Sequence, residues 1–129
     1  MTEWCSSTVN NIFSFLFPKK GLNRGEDLAA RYLRWHGHKI VDRNYYEKCG
    51  EIDIVSYDKE VLVFTEVKQR KTDRFGRPEE FVTATKRDRI KKTAQLYIMR
   101  NKYKGNARFD VVEVLGEKKP EIRHIKNAF

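Results

Sequence analysis

Two carboxylates and a lysine lie on two adjacent segments with the pattern of β-strands. Asp53 belongs to residues 50–57, and Glu66 and Lys68 end residues 61–68. Side chains alternate between the faces of a strand, so Glu66 and Lys68 share a face. Carboxylate oxygens are the ligands that Mg²⁺ and Mn²⁺ prefer, and Mg²⁺ usually takes only one or two of them. The pattern therefore predicts a divalent-cation site at Asp53 and Glu66, with Lys68 near enough to offset charge on a phosphate.

This prediction depends on the register of the hairpin that joins the two segments. A turn at Asp58-Lys59 places Asp53 opposite Phe64. Asp53 and Glu66 are then diagonal neighbours on one face, about 7 Å apart at Cα. A slip of the pairing by one residue would move Asp53 to the other face.

The alternative is a solvent-facing strand on which opposite charges pair with their neighbours. Spacing alone favours this alternative, because Glu-Xaa-Lys is common in amphipathic strands. However, Leu62 and Phe64 continue the face of Glu66, and Val63 and Val67 make the opposite face apolar too. Strands that are apolar on both faces are buried on both sides, so charges at their ends are expected in a cleft. The apolar pattern thus favours a functional site.

The charge of the chain is concentrated in one region. Of 129 residues, 27 are Lys or Arg and 18 are Asp or Glu, a surplus of nine positive charges. Residues 68–104 contain thirteen basic and four acidic residues, so this region carries the whole surplus. A polyanion would be attracted there, whereas an unlocalised surplus would indicate only solubility.

Length and cysteine content limit the class of protein. The chain suffices for one domain with a core, which we assign to residues 21–129. Two cysteines, Cys5 and Cys49, are too few for a disulfide framework or a zinc site and indicate a reducing cytoplasm. Residues 1–20 form an apolar N-terminal extension, whose apolar run at 12–17 is far shorter than the ~20 residues of a membrane span. Helical spacing in this run suggests a short amphipathic helix that docks on the domain or on a second copy, with membrane-surface association as a weaker alternative.

Apolar periodicity and turn residues predict the order helix, three strands, helix, two strands. The predicted helices cover residues 25–36 and 85–102, the second capped by Thr85, and the predicted strands cover 39–46, 50–57, 61–68, 109–115 and 122–126. Residues 69–80 are polar, contain Gly and Pro, and are predicted to form a loop beside the site. In the first helix Glu26 interrupts an apolar stripe. Its spacing from Asn23 is that of a capping box, and helix geometry alone favours this capping role over catalysis.

Short motifs occur in a definite order between residues 25 and 114. They are Gly25-Glu26, Ala29-Ala30, Tyr32-Leu33, Arg43-Asn44, Gly50-Glu51-Ile52-Asp53, Glu66-Val67-Lys68-Gln69-Arg70, Phe75-Gly76, Lys86 and Arg108-Phe109-Asp110-Val111-Val112. In this order they resemble the YraN-like family of the restriction-endonuclease-like PD-(D/E)XK superfamily, which is similar to archaeal Holliday junction resolvases. The resemblance implies an α/β fold with an αβββαβ core, that is, a mixed central sheet flanked by helices. Ile52 stands where the superfamily motif has its proline.

The resemblance also implies an activity and roles for residues. It implies a metal-dependent nuclease in which Asp53 and Glu66 bind Mg²⁺ or Mn²⁺ and Lys68 is the catalytic lysine. Glu26 becomes the helix carboxylate that completes the site, which reverses the preference for capping, although the two roles are compatible. The implied partner is DNA, with branched or junction DNA as a candidate, and similar resolvases make a homodimer a candidate assembly.

Basic and aromatic residues near the site are candidates for nucleic-acid contacts. Cations can bind phosphates, and Phe75 can stack on a base or wedge a junction. An equally weighted alternative is a mobile basic loop with Phe75 packed inward. Lys86 either reaches into the cleft or lays its stem along apolar surface with its ammonium in water. The candidate nucleic-acid-binding residues are Arg70, Lys71, Arg74, Phe75, Arg77, Lys86 and Arg87.

Two rival functions remain open. The first is a noncatalytic nucleic-acid-binding module that retains the fold but holds no productive metal. Such a module would bind nucleic acid in a salt-sensitive way without metal-dependent nicking. The second is an interaction subunit that docks a partner through residues 1–20.

Overall fold

A computed structural model describes residues 24–71 and 82–129. The described residues form two helices and five strands: α1 Arg24–Trp35, β1 His38–Glu47, β2 Gly50–Asp58, β3 Val61–Arg70, α2 Ala84–Arg100, β4 Ala107–Leu115 and β5 Glu121–Ile125. Neither helix is long and apolar enough to cross a membrane. The predicted apolar extension 1–20 and the proposed N-cap Asn23 lie outside the described residues.

The five strands form one mixed sheet in the order β1-β2-β3-β4-β5. The first three strands are an antiparallel meander, β4 runs parallel to β3, and β5 returns antiparallel to β4. A parallel neighbour requires a crossover connection, which here contains α2. The α/β class and the αβββαβ order predicted from the sequence are therefore confirmed.

Each helix covers one face of the sheet. Ile90 and Ala94 of α2 belong to the same buried cluster as Phe64 of β3. Leu33 of α1 belongs to a second cluster, with Val112 of β4. Consecutive strand residues point to opposite faces, so the continuous apolar runs of the central strands fill both clusters. Each fully buried apolar side chain contributes roughly 1.5–3 kcal/mol of transfer free energy.

The β2–β3 turn falls one residue later than the sequence predicted. The turn occupies residues 59–60, and Val55 stands opposite Phe64. The prediction that Asp53 stands opposite Phe64 was therefore wrong. Moving the centre of a hairpin turn by one residue shifts the pairing by two, and a shift of two keeps every side chain on its own face.

Helix α2 also begins earlier than predicted. Its N-cap is Thr83, whose side chain accepts a 3.2 Å hydrogen bond from the backbone N–H of Lys86, so the prediction of Thr85 as the cap was wrong. Thr83 and Thr85 are equivalent in type and are separated by Ala84, so either could cap a helix, and the helix is capped by the earlier one. Strand β3 continues to Arg70, two residues into the predicted loop. The early start places Lys86 in the first turn of α2.

Candidate active site

Asp53 and Glu66 lie where the pairing between β2 and β3 ends. The last backbone pair is Ile54 with Thr65, so Asp53 and Glu66 are the next residue along each strand. The N–H of Val67 donates a 2.7 Å hydrogen bond to Oδ2 of Asp53. Only 9% of Asp53 and 5% of Glu66 is exposed to solvent. The two carboxyl groups thus lie across from each other on the α2 face, in a buried position at the end of the apolar core.

Two lysines contact Glu66. Nζ of Lys68 lies 3.5 Å from Oε2 of Glu66, and Nζ of Lys86 lies 2.7 Å from the same oxygen. Lys68 comes from the same strand two residues later, whereas Lys86 reaches across from the first turn of α2. Of the two positions considered for Lys86, the structure shows the one inside the cleft.

The surroundings of Asp53 disfavour its negative charge. Burial, the largest cause, raises its pKa well above the ordinary value, and the negative charges of Glu66 and Glu26 raise it further, against the hydrogen bond from Val67. Burial alone would lower the pKa of Lys86, but the hydrogen bond and the charge of Glu66 outweigh it and raise this pKa. Negative charge is thus crowded at the carboxylates, and Lys86 stays cationic beside them.

Glu26 lies in the first turn of α1, close enough for its charge to act on Asp53. Its Oε2 is 3.9 Å from a terminal nitrogen of Arg43, a residue of β1 that also holds Asp27 at 2.8 Å. The structure therefore places Glu26 within electrostatic range of Asp53, and its role in the site stays a prediction. Because Asn23 is outside the described residues, the capping role stays a prediction.

A glycine allows this approach of α1 to the sheet. A Cβ atom placed on Gly25 would lie 2.5 Å from Oε1 and 3.3 Å from Cβ of Gln69. The side chain of Gln69 could move its far end, but its Cβ is fixed to β3. Gly25 thus lets the N-terminus of α1 lie against the end of β3 and so positions Glu26.

The carboxylates of Asp53 and Glu66 suit Mg²⁺ or Mn²⁺ better than a structural zinc ion. Among residues 24–71 and 82–129 no group of three or more His, Cys, Asp or Glu side chains could hold a metal ion. A structural zinc site needs four such ligands, whereas Mg²⁺ commonly takes one or two carboxylates and completes its shell with water and substrate oxygens. The pair Asp53 and Glu66 therefore fits Mg²⁺ or Mn²⁺. Lys86 would have to yield some of its contact with Glu66 to such an ion.

Further along the same face is a charged cluster that the sequence reasoning missed. Glu113 of β4 is completely buried and pairs in register with Lys68. Nε of Arg70 donates a hydrogen bond to Glu113, and Arg123 of β5 lies 3.6 Å from it. Alternation could have found Glu113, because Val111 two residues before it points into the α2 face of the core.

The remaining candidate nucleic-acid contacts are dispersed. Lys71 is exposed and lies 3.3 Å from Glu117, and Arg70 is engaged by Glu113. Arg87 donates a 2.9 Å hydrogen bond to the carbonyl of Val82, with its guanidinium over the ring of Phe129. Arg74, Phe75 and Arg77 lie outside the described residues. Of the seven candidates, Lys86 is the one that the described part of the chain places against the carboxylates.

Comparison with a family model and with individual known proteins identifies the same family. The model of the family described as "Uncharacterised protein family UPF0102" matches residues 25–114. A UPF0102 protein of Syntrophomonas wolfei is 47% identical over 107 residues, which cover 81% of this chain and 93% of the relative. A UPF0102 protein of Persephonella marina is 39% identical over 119 residues, which cover 92% of this chain and 97% of the relative. The matched residues include Glu26, Asp53, Glu66, Lys68 and Lys86.

Proposed function

This chain belongs to the UPF0102 family, the YraN-like family indicated by its motifs, and we propose that it is a metal-dependent phosphodiesterase that cleaves DNA. The observation that carries the proposal is the buried pair Asp53 and Glu66, with two lysine ammonium groups within 3.5 Å of Glu66. Burying two carboxylates side by side is unfavourable because their charges are desolvated and repel each other. A bound cation would offset this cost, so such a pair is typical of a functional site. Membership of the restriction-endonuclease-like superfamily is part of the same proposal.

The residues have distinct roles in this reaction. Asp53 and Glu66 would hold Mg²⁺ or Mn²⁺, and Glu26 adds negative charge from the helix side. An ion held there would supply Lewis-acid activation of the phosphate and of water. Lys68 offsets the negative charge that develops on the phosphate oxygens, and its partial burial strengthens this interaction. The low exposure of the pair keeps these charges poorly screened.

The substrate class follows from charge. The surplus of nine positive charges falls within residues 68–104, the region that begins at Lys68 and includes α2. This region would attract a polyanion to the carboxylates. We propose DNA in the cytoplasm as the partner, with branched or junction forms as the preferred structures and a homodimer as the assembly suited to cutting two symmetric strands.

Nuclease assays test the proposal directly. Purified protein would be incubated with single-stranded, duplex, flap and four-way DNA in Mg²⁺, Mn²⁺ or EDTA. We expect metal-dependent cleavage that falls by about 100-fold or more in Glu66→Gln, Asp53→Asn and Lys68→Met. Glu60→Gln, an exposed carboxylate at the β2–β3 turn, is the matched control and should cleave as the parent does. Equal rates for Glu66→Gln and the parent would refute the proposal.

One observation favours a second candidate, the noncatalytic nucleic-acid-binding module. Nζ of Lys86 lies 2.7 Å from Glu66, so a side chain already supplies the positive charge that the buried carboxylate requires. In that case the site would be a charged element of the binding surface. Its signature is binding that weakens steeply with salt, without nicking in either metal.

A further inference from the structure

A groove borders the candidate active site, between the β1–β2 hairpin and α2. It has a volume of about 700 Å³ and is lined on the hairpin side by Tyr46, Lys48 and Glu51 and on the helix side by Lys86, Arg89 and Lys92. We call it the hairpin groove. Lys86 belongs to both places, because its Nζ contacts Glu66. The hairpin groove therefore leads to the carboxylates.

The two walls are held together closely. A Cβ atom on Gly50 would lie 3.0 Å from Oγ1 of Thr93 and 3.3 Å from Cβ of Arg89. Sγ of Cys49 lies 3.4 Å from the same Thr93 oxygen. The hairpin and α2 are thus in contact at the base of the groove, which makes it a fixed feature of the fold.

Both walls of the groove carry exposed cations, and the helix wall carries most of them. Lys48, Arg89 and Lys92 are exposed, and within the described residues none of them forms an ion pair. Glu47, also in the lining, is buried and already binds Arg100 at 2.6 Å. Glu51 is the exposed carboxylate among the lining residues. Exposed cations that face a groove and form no ion pair with any residue the structure describes indicate an anionic ligand.

We propose that the hairpin groove binds one strand of nucleic acid that continues from the phosphate at Asp53 and Glu66. This inference rests on the proposed function for the position of that phosphate. Lys48 and Lys92 would bind backbone phosphates from opposite walls. Tyr46, 47% exposed, would stack on a base, which is the usual way that proteins hold single strands without reading their sequence. Because an exposed ring stacks on unpaired bases, the ligand we propose is a single-stranded extension or branch.

Binding measured in EDTA tests the groove apart from catalysis. Fluorescence anisotropy would compare a duplex that carries a single-stranded extension with the blunt duplex. We expect Lys48→Gln/Lys92→Gln to bind the extended duplex about tenfold more weakly than the parent and to lower the slope of log K against log salt by about 1.4, the value for two phosphate contacts to a single strand. Affinity for the blunt duplex should change less than threefold.

The chain offers matched controls. Lys39→Gln/Lys104→Gln removes the same charge from two exposed positions near the opposite end of the sheet. It should retain parental affinity for the extended duplex within about twofold. An equal loss of affinity in the groove variant and the control variant, or no loss in either, would refute strand binding in the hairpin groove. For stacking, Tyr46→Leu should weaken binding of the extended duplex about fivefold to tenfold, whereas Tyr46→Phe should not.

A footprint on Cys49 gives the position of the strand independently of affinity. Cys5→Ser leaves Cys49 as the sole thiol, because the chain has two cysteines. Saturating extended duplex should slow alkylation of Cys49 by iodoacetamide severalfold. An unchanged rate would refute strand binding in the hairpin groove.

These experiments separate the two proposals. If strand binding in the groove is confirmed but no metal supports cleavage of any substrate, the groove proposal holds and the phosphodiesterase proposal fails. If the parent cleaves DNA and Lys48→Gln/Lys92→Gln binds the extended duplex as the parent does, only the groove proposal fails. If the parent binds no nucleic acid, both proposals fail.

Discussion

At the scale of single residues, Glu66 experiences competing electrostatic interactions. It is 5% exposed, it faces the carboxyl of Asp53, and its Oε2 has two ammonium groups within 3.5 Å. Lys68 is held near it by the strand, since residues two apart share a face. Lys86 reaches it along a flexible stem and is 45% exposed, so it can leave toward solvent. The two lysines therefore differ in how readily they yield to another cation.

Lys86 is predicted to compete with a divalent ion for Glu66. The change Lys86→Gln removes the closer ammonium, so Mn²⁺ should bind about 5-fold to 30-fold more tightly, which corresponds to roughly 1–2 kcal/mol for one close charge pair near the surface. Isothermal titration calorimetry with Mn²⁺ measures the change. Lys91→Gln, on the same helix but over the ring of Phe129, is the control and should bind as the parent does. Weaker binding by Lys86→Gln would mean that Lys86 supports the metal site.

At the scale of elements, the parallel strands β3 and β4 extend past the apolar core, and their ends carry the charged side chains. Buried apolar residues fill the pair up to Val111, and charged side chains continue the same face through Glu113. Arg70 from β3 and Arg123 from β5 both approach Glu113, so a single buried carboxylate links three strands. This link fixes the end of β3 that carries Lys68.

Removing both Glu113 and Arg70 should cost less than the sum of the two single losses. Glu113→Gln and Arg70→Gln should each lower the free energy of unfolding by about 3 kcal/mol, because the first removes the buried carboxylate that both arginines approach and the second leaves that carboxylate to the more distant Arg123 at 3.6 Å. The double variant should lose clearly less than the sum, with a coupling of more than 1 kcal/mol. Urea denaturation of the four proteins measures the cycle. Additive losses would show that the contact contributes no pairwise energy.

At the scale of the whole molecule, one buried aspartate joins the C-terminal segment to the sheet. Asp110 of β4 accepts hydrogen bonds from Arg108 at 2.8 and 2.9 Å, from the N–H of Asn127 at 3.0 Å, and lies 2.7 Å from Nε2 of His124. Burial alone would raise the pKa of Asp110, but these hydrogen bonds outweigh it and lower the pKa to about 2. The segment after β5 is thus held by an ionised carboxylate.

The stability of the fold should depend on pH through Asp110. Its folded pKa of about 2 lies below the ordinary 3.8, so the contribution of its ionised form is fully present above pH 3.8 and is lost as pH falls toward 2. Asp110→Asn should lower the free energy of unfolding by about 2 kcal/mol at pH 7, and the deficit should shrink near pH 2.5. Urea denaturation at both pH values tests this, with exposed Asp88→Asn as the control. A deficit of equal size at both pH values would contradict it.

The sequence by itself determined the order of the elements and the shared face of Asp53, Glu66 and Lys68. Both depend on local periodicity, and the face survived an error in the turn because the pairing moved by two residues. It did not determine the start of α2, where Thr83 and Thr85 offer equivalent caps.

Only the tertiary structure decided which distant residues meet at the site. Lys86 contacts Glu66 because the crossover lays the first turn of α2 over the end of β3, and Glu26 arrives because Gly25 lets α1 approach Gln69. The hairpin groove likewise exists only where the β1–β2 hairpin meets α2. These contacts depend on how helices dock on the sheet, and docking is set by packing between segments far apart in the chain, which no local pattern encodes.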